Sequence, residues 1–352
     1  MSLPIRLLHL PNEPYVGFQQ GPRRFFREAR LGGRIQDYLA HSFLVERKNH
    51  SDAASMQNDL LSQAETFLPN VVFWQHISDY PITADFIARL KNLPSKPLIV
   101  YHEADMFGGI AKVPTKSMRI LASAADLMFV VGLGQWARTL DKLGAKQVVY
   151  APHCFDEARF GGEWTPTPKR EFDAIMIASL LKSRNPLPGF SIPGAAGRLA
   201  LAKRLYRLLG KRFAVFGAGW EKYPFSRGTI PFDEQEKVIR NSWMSVVWDH
   251  YESIPYYFSD RLPISLAAGV AHLTNYHPGY ELLFNNGEQL LYPASIDGFE
   301  SYVRYYLDSD ARQLIDLGDR GKRLAATKYS TEVVYDRMLS QIERLVDANN
   351  PQ

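Results

Sequence analysis

The chain has 352 residues, 46% hydrophobic and 22% charged, with 41 Lys and Arg against 37 Asp and Glu, a formal net charge of +4. That length suits two domains better than one core, and the mild positive balance favours phosphate-bearing partners while falling well short of a nucleic-acid arm. No run reaches the ~18–20 apolar residues of a membrane span. The start, MSLPIRLLHLP, has no signal-peptide layout, and the single cysteine, Cys154, excludes an intrachain disulfide or a cysteine-based zinc site. A cytoplasmic protein is the simplest expectation.

Apolar residues 5–10 read as a strand running into a loop, 11–21, that carries Glu13, Tyr15, Gly17 and Gly21. A helix with Pro22 at its start follows over 22–31. Further strands are expected over 37–45, 71–74, 98–101, 127–131 and 147–150. Helices are expected over 51–67, 83–93, 115–124 and 135–143, with Thr83 a good N-cap. Short apolar strands alternating with helices are the pattern of a parallel sheet wrapped on both faces.

Residues 151–170 break that rhythm with three Pro and two Gly and read as a linker. The alternation then restarts with a strand over 172–178, a loop over 179–197, and a helix ending at Leu209. A strand over 212–216, a helix over 232–241 and a strand over 245–248 follow. In the next stretch, SDRLPISLAAGVAHLTNYHPGYELLF from Ser259 to Phe284, Pro263 opens a short helix and Gly269 closes it. Residues 270–274 form a brief strand, 276–279 a loop, and Glu281 opens another amphipathic piece. One long amphipathic helix, 331–346, ends the chain. The two α/β halves joined by a Pro-rich segment are the architectural expectation.

Ligands of open α/β sheets bind beyond the carboxyl ends of the strands, and that rule selects the candidate loops. Lys182 and Arg184 can clamp a diphosphate, one as a point charge and the other as a fork. Gly217 and Gly219 allow close backbone passage, although no third glycine completes a dinucleotide fingerprint. Asp260 and Arg261 stand at the Pro263 helix, whose free N–H groups and dipole suit a ribose and diphosphate. In the first half, His102, Glu103 and Asp105 follow the fourth strand, and Gly108-Gly109 frees the backbone behind them. His76 and Asp79 follow the third strand and rank lower, and His9 reads as a core histidine. Arg23, Arg24, Arg27, Arg30 and Arg34 form a basic cluster with Phe25 and Phe26, and Lys203, Arg204, Arg207, Lys211 and Arg212 a second. A charged helix face is usually only solvated. No metal-ligand spacing is visible.

The order Arg261, Ala267-Ala268-Gly269, strand 271–274, and Pro278-Gly279-Tyr280-Glu281 resembles the nucleotide-sugar end of GT-B glycosyltransferases. The resemblance is nearest to the group 1 branch that includes CgeB-like proteins, and it covers the C-terminal half well and the N-terminal half by layout. It implies an α/β GT-B fold of two Rossmann-like domains facing a cleft. They would be an acceptor-side domain over 1–160 and a nucleotide-sugar domain over 161–330, with a terminal helix, 331–352, crossing back to the first. It also implies transfer of a sugar from a nucleoside diphosphate sugar to an acceptor hydroxyl, without a metal or other cofactor. Lys182, Arg184, Gly217, Gly219, Asp260, Arg261, Pro263 and Glu281 then belong to the donor site. His102 resembles a donor-sugar contact, and Asp105, Glu103 or Glu13 could serve as base. Arg23, Arg24 and Tyr15 fall on the acceptor side. A surface glycan or lipid-linked saccharide is the favoured acceptor, with peripheral membrane contact. DNA, and a non-catalytic sugar- or nucleotide-binding protein, are the alternatives. One departure matters. The retaining pattern has two Glu separated by seven residues, the second five before the closing Gly, and those positions hold Tyr256 and Ile264. Glu252 and Asp260 keep the spacing four positions out of register, so the anomeric outcome stays open.

Overall fold

The computed structural model describes residues 4–77, 80–107, 112–181 and 192–349. They divide into two compact units, Met1–Phe107 with Val113–Ala151 and Thr331–Gln352, and Gly108–Lys112 with Pro152–Ser330.

In the first unit, strands β1 (Arg6–Leu10), β2 (Asp37–Ala40), β3 (Val71–Gln75), β4 (Leu98–Glu103), β5 (Leu127–Val130) and β6 (Val148–Tyr150) form one sheet. The order is β2-β1-β3-β4-β5-β6, and every pairing is parallel. Parallel strands are covered on both faces, so they tolerate few polar residues along their length. The sequences VVFWQ and LMFV are buried throughout. Thr83, Thr115 and Asp52 each accept an N–H bond as N-caps of the helices they precede. The terminal helix Thr331–Asn349 packs in this unit, where Tyr335 meets Phe25 and Phe26 and its hydroxyl accepts from Gln75 at 2.6 Å.

Two expected boundaries move here. The second strand, expected over 37–45, stops at Ala40, and Phe43–Glu46 is a helical turn. Its partner β1 ends at Leu10, and Pro11 has no N–H with which to continue the ladder. The fourth strand, expected over 98–101, runs on to Glu103, because His102 and Glu103 pair with Phe129 and Val130.

In the second unit, β7 (Phe172–Ile177), β8 (Phe213–Phe216), β9 (Ser242–Val247) and β10 (Ala271–Thr274) pair in parallel in the order β10-β9-β7-β8. The linker stretch has a structural part in this unit. Phe155 and Phe160 are buried with Phe258, Ala267 and Tyr329 in one of its apolar clusters. The short helix expected before Gly269 spans Arg261–Ala267, and Gly269 takes φ +74 to close it. Helix Ala195–Leu209 begins inside the stretch expected to be loop to residue 197, and the strand expected over 245–248 is β9, starting at Ser242.

His272 lies fully buried on β10, and burial holds its imidazole down at about 4. Unfolded, the same ring titrates near its ordinary 6.5, so the open chain takes up the proton first as pH falls. Stability from neutral His272 is therefore full above pH 6.5 and is lost between 6.5 and 4. Urea unfolding at pH 7 and pH 5 should show the difference between the two pH values shrink by about 2 kcal/mol in His272→Leu. An unchanged difference would mean that the ring is protonated in place.

Candidate active site

At the carboxyl ends of β3 and β4, the first unit gathers four titratable side chains. The Glu103 side chain is fully buried and accepts three hydrogen bonds. His76 Nδ1 lies 2.6 Å from Oε1, the Asp105 amide donates to the same oxygen at 2.8 Å, and the Tyr101 hydroxyl donates to Oε2. Tyr101 and Glu103 reach each other because residues two apart share one face of a strand. Burial and the neighbouring Glu103 carboxyl push the Tyr101 hydroxyl well above its usual range, which keeps it a donor. His76 Nε2 is 3.8 Å from Asp105 Oδ2, and the Asp105 side chain is half exposed. His102, one residue out of phase, stacks on Phe73 with ring centres 6.4 Å apart. Thus Glu103, Asp105 and the lower-ranked His76 come together, while His102 lies apart from them. Gly108, Gly109 and Asp79 lie outside the described residues.

Glu13 is bound differently. Its buried carboxylate pairs with Arg23 and accepts from Ser42 and from the amides of Gly17 and Gln19 at 3.2 and 3.1 Å. Burial alone would raise its pKa, but Arg23, Ser42 and the Gln19 amide outweigh that and hold it below the ordinary value. A carboxylate so held is a poor proton acceptor. The Arg23 guanidinium is taken up by Glu13 and Ser42. Two more of the basic cluster are paired, Arg30 with Asp37 and Arg34 with Glu343 and Asp336. Arg24 is half-buried, while Tyr15 is exposed and meets Phe18 edge to face. Elsewhere the fold brings Glu46, His50 and Asp59 within 4.8 Å of one another, a group without sequence spacing to announce it. Asn49 and Gln63 already bond its two carboxylates.

In the second unit, polar side chains converge beyond β7, β9 and β10. Arg198 is buried and ties the ends of two strands, donating from Nε to the Trp248 carbonyl at 2.8 Å and from Nη1 to Ser179 at 2.9 Å. Burial, and then the charge of Arg261, bring its guanidinium down to about 10. Asp249 follows β9. Its amide donates to Asn275 Oδ1 at 2.6 Å, and its Oδ2 accepts from the Ser259 amide at 2.9 Å. Burial pushes its carboxyl up, but His277, the Ser259 amide, Arg198 and Arg261 together bring it below the ordinary value. Burial lowers His277 as well, so at neutral pH the charges that remain to hold Asp249 are the two guanidiniums. Asp249 Oδ1 and His277 Nδ1 are buried with no hydrogen-bond partner among the described residues. A buried acceptor and a buried donor left unmade are costly unless a ligand or water satisfies them.

The sequence candidates of this unit fall around that cluster. Arg261 is partly exposed, donates from Nε to the Ile177 carbonyl at 2.7 Å, and approaches Asp260 at 3.4 Å. Pro263 is buried in the helix they begin, and Glu281 is exposed and accepts from the Tyr276 hydroxyl at 3.1 Å. Gly217 and Gly219 have packing reasons to be glycine. A Cβ on them would stand 2.3 Å from the Ala178 carbonyl and 2.4 Å from that of Leu180. Gly279, at φ +89, passes under the Tyr256 ring, which a Cβ would strike. Lys182 and Arg184 lie outside the described residues. Arg198, Asp249, Asn275 and His277 escaped the sequence reading. Their signal was position, since the polar residues directly after the apolar runs of β9 and β10 stand where the strand rule puts ligands.

Residues 198–340 match the family described as Glycosyl transferase-like. Among solved structures, the chain is similar over nearly its whole length to a glycosyltransferase from Rickettsia africae. That likeness has 12% identity, covers 98% of each chain and has a TM-score of 0.61. An α,α-trehalose-phosphate synthase (UDP-forming) from Burkholderia vietnamiensis matches at 10% identity, over 99% of this chain and 100% of that one, with a TM-score of 0.61. The Anabaena protein HepE, crystallised with UDP-glucose, matches at 11% identity, over 96% and 99%, with a TM-score of 0.58. A sequence comparison with curated proteins finds no match. The fold is that of the GT-B glycosyltransferases. The stretch matched by the family model begins at Arg198 and contains Asp249, Arg261 and His277.

The Glu13–Arg23 tie yields a stability prediction. Removing one partner of a buried ion pair costs about 3–5 kcal/mol, because the other charge is left uncompensated. Arg23→Ala should therefore lower the urea midpoint markedly. A variant as stable as the parent would return Arg23 to the acceptor side as a ligand residue.

Proposed function

We propose that the protein transfers a sugar from a nucleoside diphosphate sugar to an acceptor hydroxyl, as a member of the CgeB-like group 1 branch. The observation that carries this reading is the buried polar cluster of Asp249, Asn275 and His277 beside Arg198 and Arg261, in which Asp249 Oδ1 has no hydrogen-bond partner among the described residues. It stands at the carboxyl ends of parallel strands, inside the family-matched stretch. Arg261, with Nε on the Ile177 carbonyl and Nη1 3.4 Å from Asp260, would offer Nη2 to a diphosphate, and Asp260, Pro263, Glu281, Lys182 and Arg184 are proposed as the other donor residues. A uridine nucleotide is the first donor to test, because HepE was solved with UDP-glucose.

A saccharide is the better acceptor than DNA. A duplex needs a field of unpaired cations, and Arg23, Arg30 and Arg34 are each paired with carboxylates. An exposed aromatic such as Tyr15 suits a sugar ring instead. Among the described residues no helix is long and apolar enough to cross a membrane. We read the protein as cytoplasmic, meeting any lipid-linked acceptor peripherally. The departing diphosphate would be held by guanidiniums in place of a divalent cation.

Calorimetry with UDP and a donor screen in EDTA test this reading. Arg261→Ala should weaken nucleoside diphosphate binding by about 1.5–3 kcal/mol, and Arg261→Lys should recover only part, because a point charge cannot form the fork. Unchanged affinity would remove Arg261 from the site. Release of UDP from a sugar donor should persist in EDTA, and its complete loss, restored by Mg²⁺ or Mn²⁺, would refute the metal-free reading.

A further inference from the structure

The connector between β2 and the helix Ala53–Phe67 gathers three side chains that can ligate a metal. Glu46 ends the helical turn Phe43–Glu46, His50 follows the short turn Arg47–Asn49, and Asp59 lies on the helix. One ligand atom from each lies within 4.8 Å of the other two. His50 Nε2 stands 3.9 Å from Asp59 Oδ2, and both side chains are partly exposed. Glu46 and His50 share a side because residues four apart in a helical backbone are one turn from each other. Asp59 comes from another element, so the sequence shows no spacing for the set.

Two carboxylates drawn this close repel each other, and Lys48, on the same turn, donates instead to the Pro14 carbonyl at 3.1 Å. A divalent cation between them would turn that repulsion into attraction. Their orientation is already held from outside. Asn49 Nδ2 donates to Glu46 Oε2 at 3.0 Å, and Gln63 Nε2 to Asp59 Oδ2 at 3.4 Å. Gln63 is in turn anchored by the buried His41, whose Nδ1 lies 3.0 Å from its Oε1. Contacts of this kind orient the ligands of metal sites. The Tyr80 hydroxyl is a separate observation. It is fully buried without a hydrogen-bond partner among the described residues, and burial, then the charge of Asp59, push it above its usual range. A hydroxyl left so is costly unless water reaches it, and an ion on Asp59 would bring water with it.

One imidazole with two carboxylates suits Zn²⁺, whereas Mg²⁺ and Ca²⁺ take oxygen ligands. With bonds of about 2.1 Å, the ligand atoms of a tetrahedral Zn²⁺ stand about 3.3 Å apart. The cluster would have to close by at most about 1.5 Å, within the rotation of half-exposed side chains. We propose that Glu46, His50 and Asp59 bind one Zn²⁺ ion, with water as a fourth ligand, and that the ion pins the connector to the helix. The connector matters to the rest of this unit. Ser42 donates to the buried Glu13, Phe43 meets Trp74 and Tyr80 edge to face at 5.5 and 5.0 Å, and Lys48 holds the loop that carries Tyr15. The ion is a staple for that loop, and it does not rest on the function proposed above.

Protein stripped with EDTA and then freed of it is titrated with ZnCl₂ by calorimetry at pH 7. One ion per chain should bind and raise the melting temperature, and hydrogen exchange over residues 43–50 should slow. Co²⁺ in its place should show the strong visible bands of a four-coordinate ion. Glu46→Gln, His50→Gln and Asp59→Asn should each weaken Zn²⁺ binding by more than about 100-fold, and Gln63→Ala by about 10–100-fold. Each variant should melt with the metal-free parent, which separates a lost ligand from a lost fold. No Zn²⁺ binding to the parent, or affinity within a few-fold of it in all three ligand variants, would overturn the site. A six-coordinate Co²⁺ spectrum, or Ca²⁺ bound more tightly than Zn²⁺, would overturn it as well. Exchange over 43–50 that ignores Zn²⁺ would overturn the staple.

Discussion

Both sheets are parallel throughout, and a parallel sheet has to be covered on both faces with its strands nearly free of polar side chains. That constraint drives polar chemistry out of the strand bodies and into the residues that follow them. The first unit places Glu13 after β1, His76 after β3, and Glu103 and Asp105 at the end of β4. The second places Asp249 after β9 and Asn275 and His277 after β10. Each group then depends on its sheet for position, since a strand end fixes a side chain more tightly than a long loop does.

Two buried carboxylates in the first unit show how partners decide what a site can do. Glu13 faces a guanidinium and a hydroxyl, and the permanent charge of Arg23 keeps it ionised and inert. Glu103 accepts instead from the Tyr101 hydroxyl and the Asp105 amide and faces the His76 imidazole at 2.6 Å. The carboxylates are both fully buried and both multiply hydrogen-bonded. What differs is the opposite member of the pair, a guanidinium in one case and an imidazole in the other.

In the second unit the electrostatics are organised around Asp249. Two guanidiniums lie close to it, and Arg198 spends its donors on backbone carbonyls while Arg261 spends only part of its own. Arg198 therefore acts as a brace that locks the strand ends, and Arg261 is the cation with capacity for a ligand. The glycines Gly217 and Gly219 belong with the brace, because they let the loop after β8 lie against the carbonyls of Ala178 and Leu180.

The alternation of apolar runs with helical segments determined the two α/β halves, and the order from Arg261 through Gly269 to Glu281 carried the resemblance of the second to the GT-B fold. These were legible because period, caps and glycine position are local properties of the chain. The helix after Asp260 and the αL glycine that ends it came straight from Pro263 and Gly269. Only the tertiary structure decided which polar residues work together. Glu13 and Arg23 looked like base and acceptor contact until the fold set them against each other, ten residues apart in sequence. His76 meets Glu103, 27 residues away, and Asp249 meets Asn275, 26 residues away. A sequence fixes which residues end a strand, but the partner each one meets depends on strand order, and that is a property of the folded sheet.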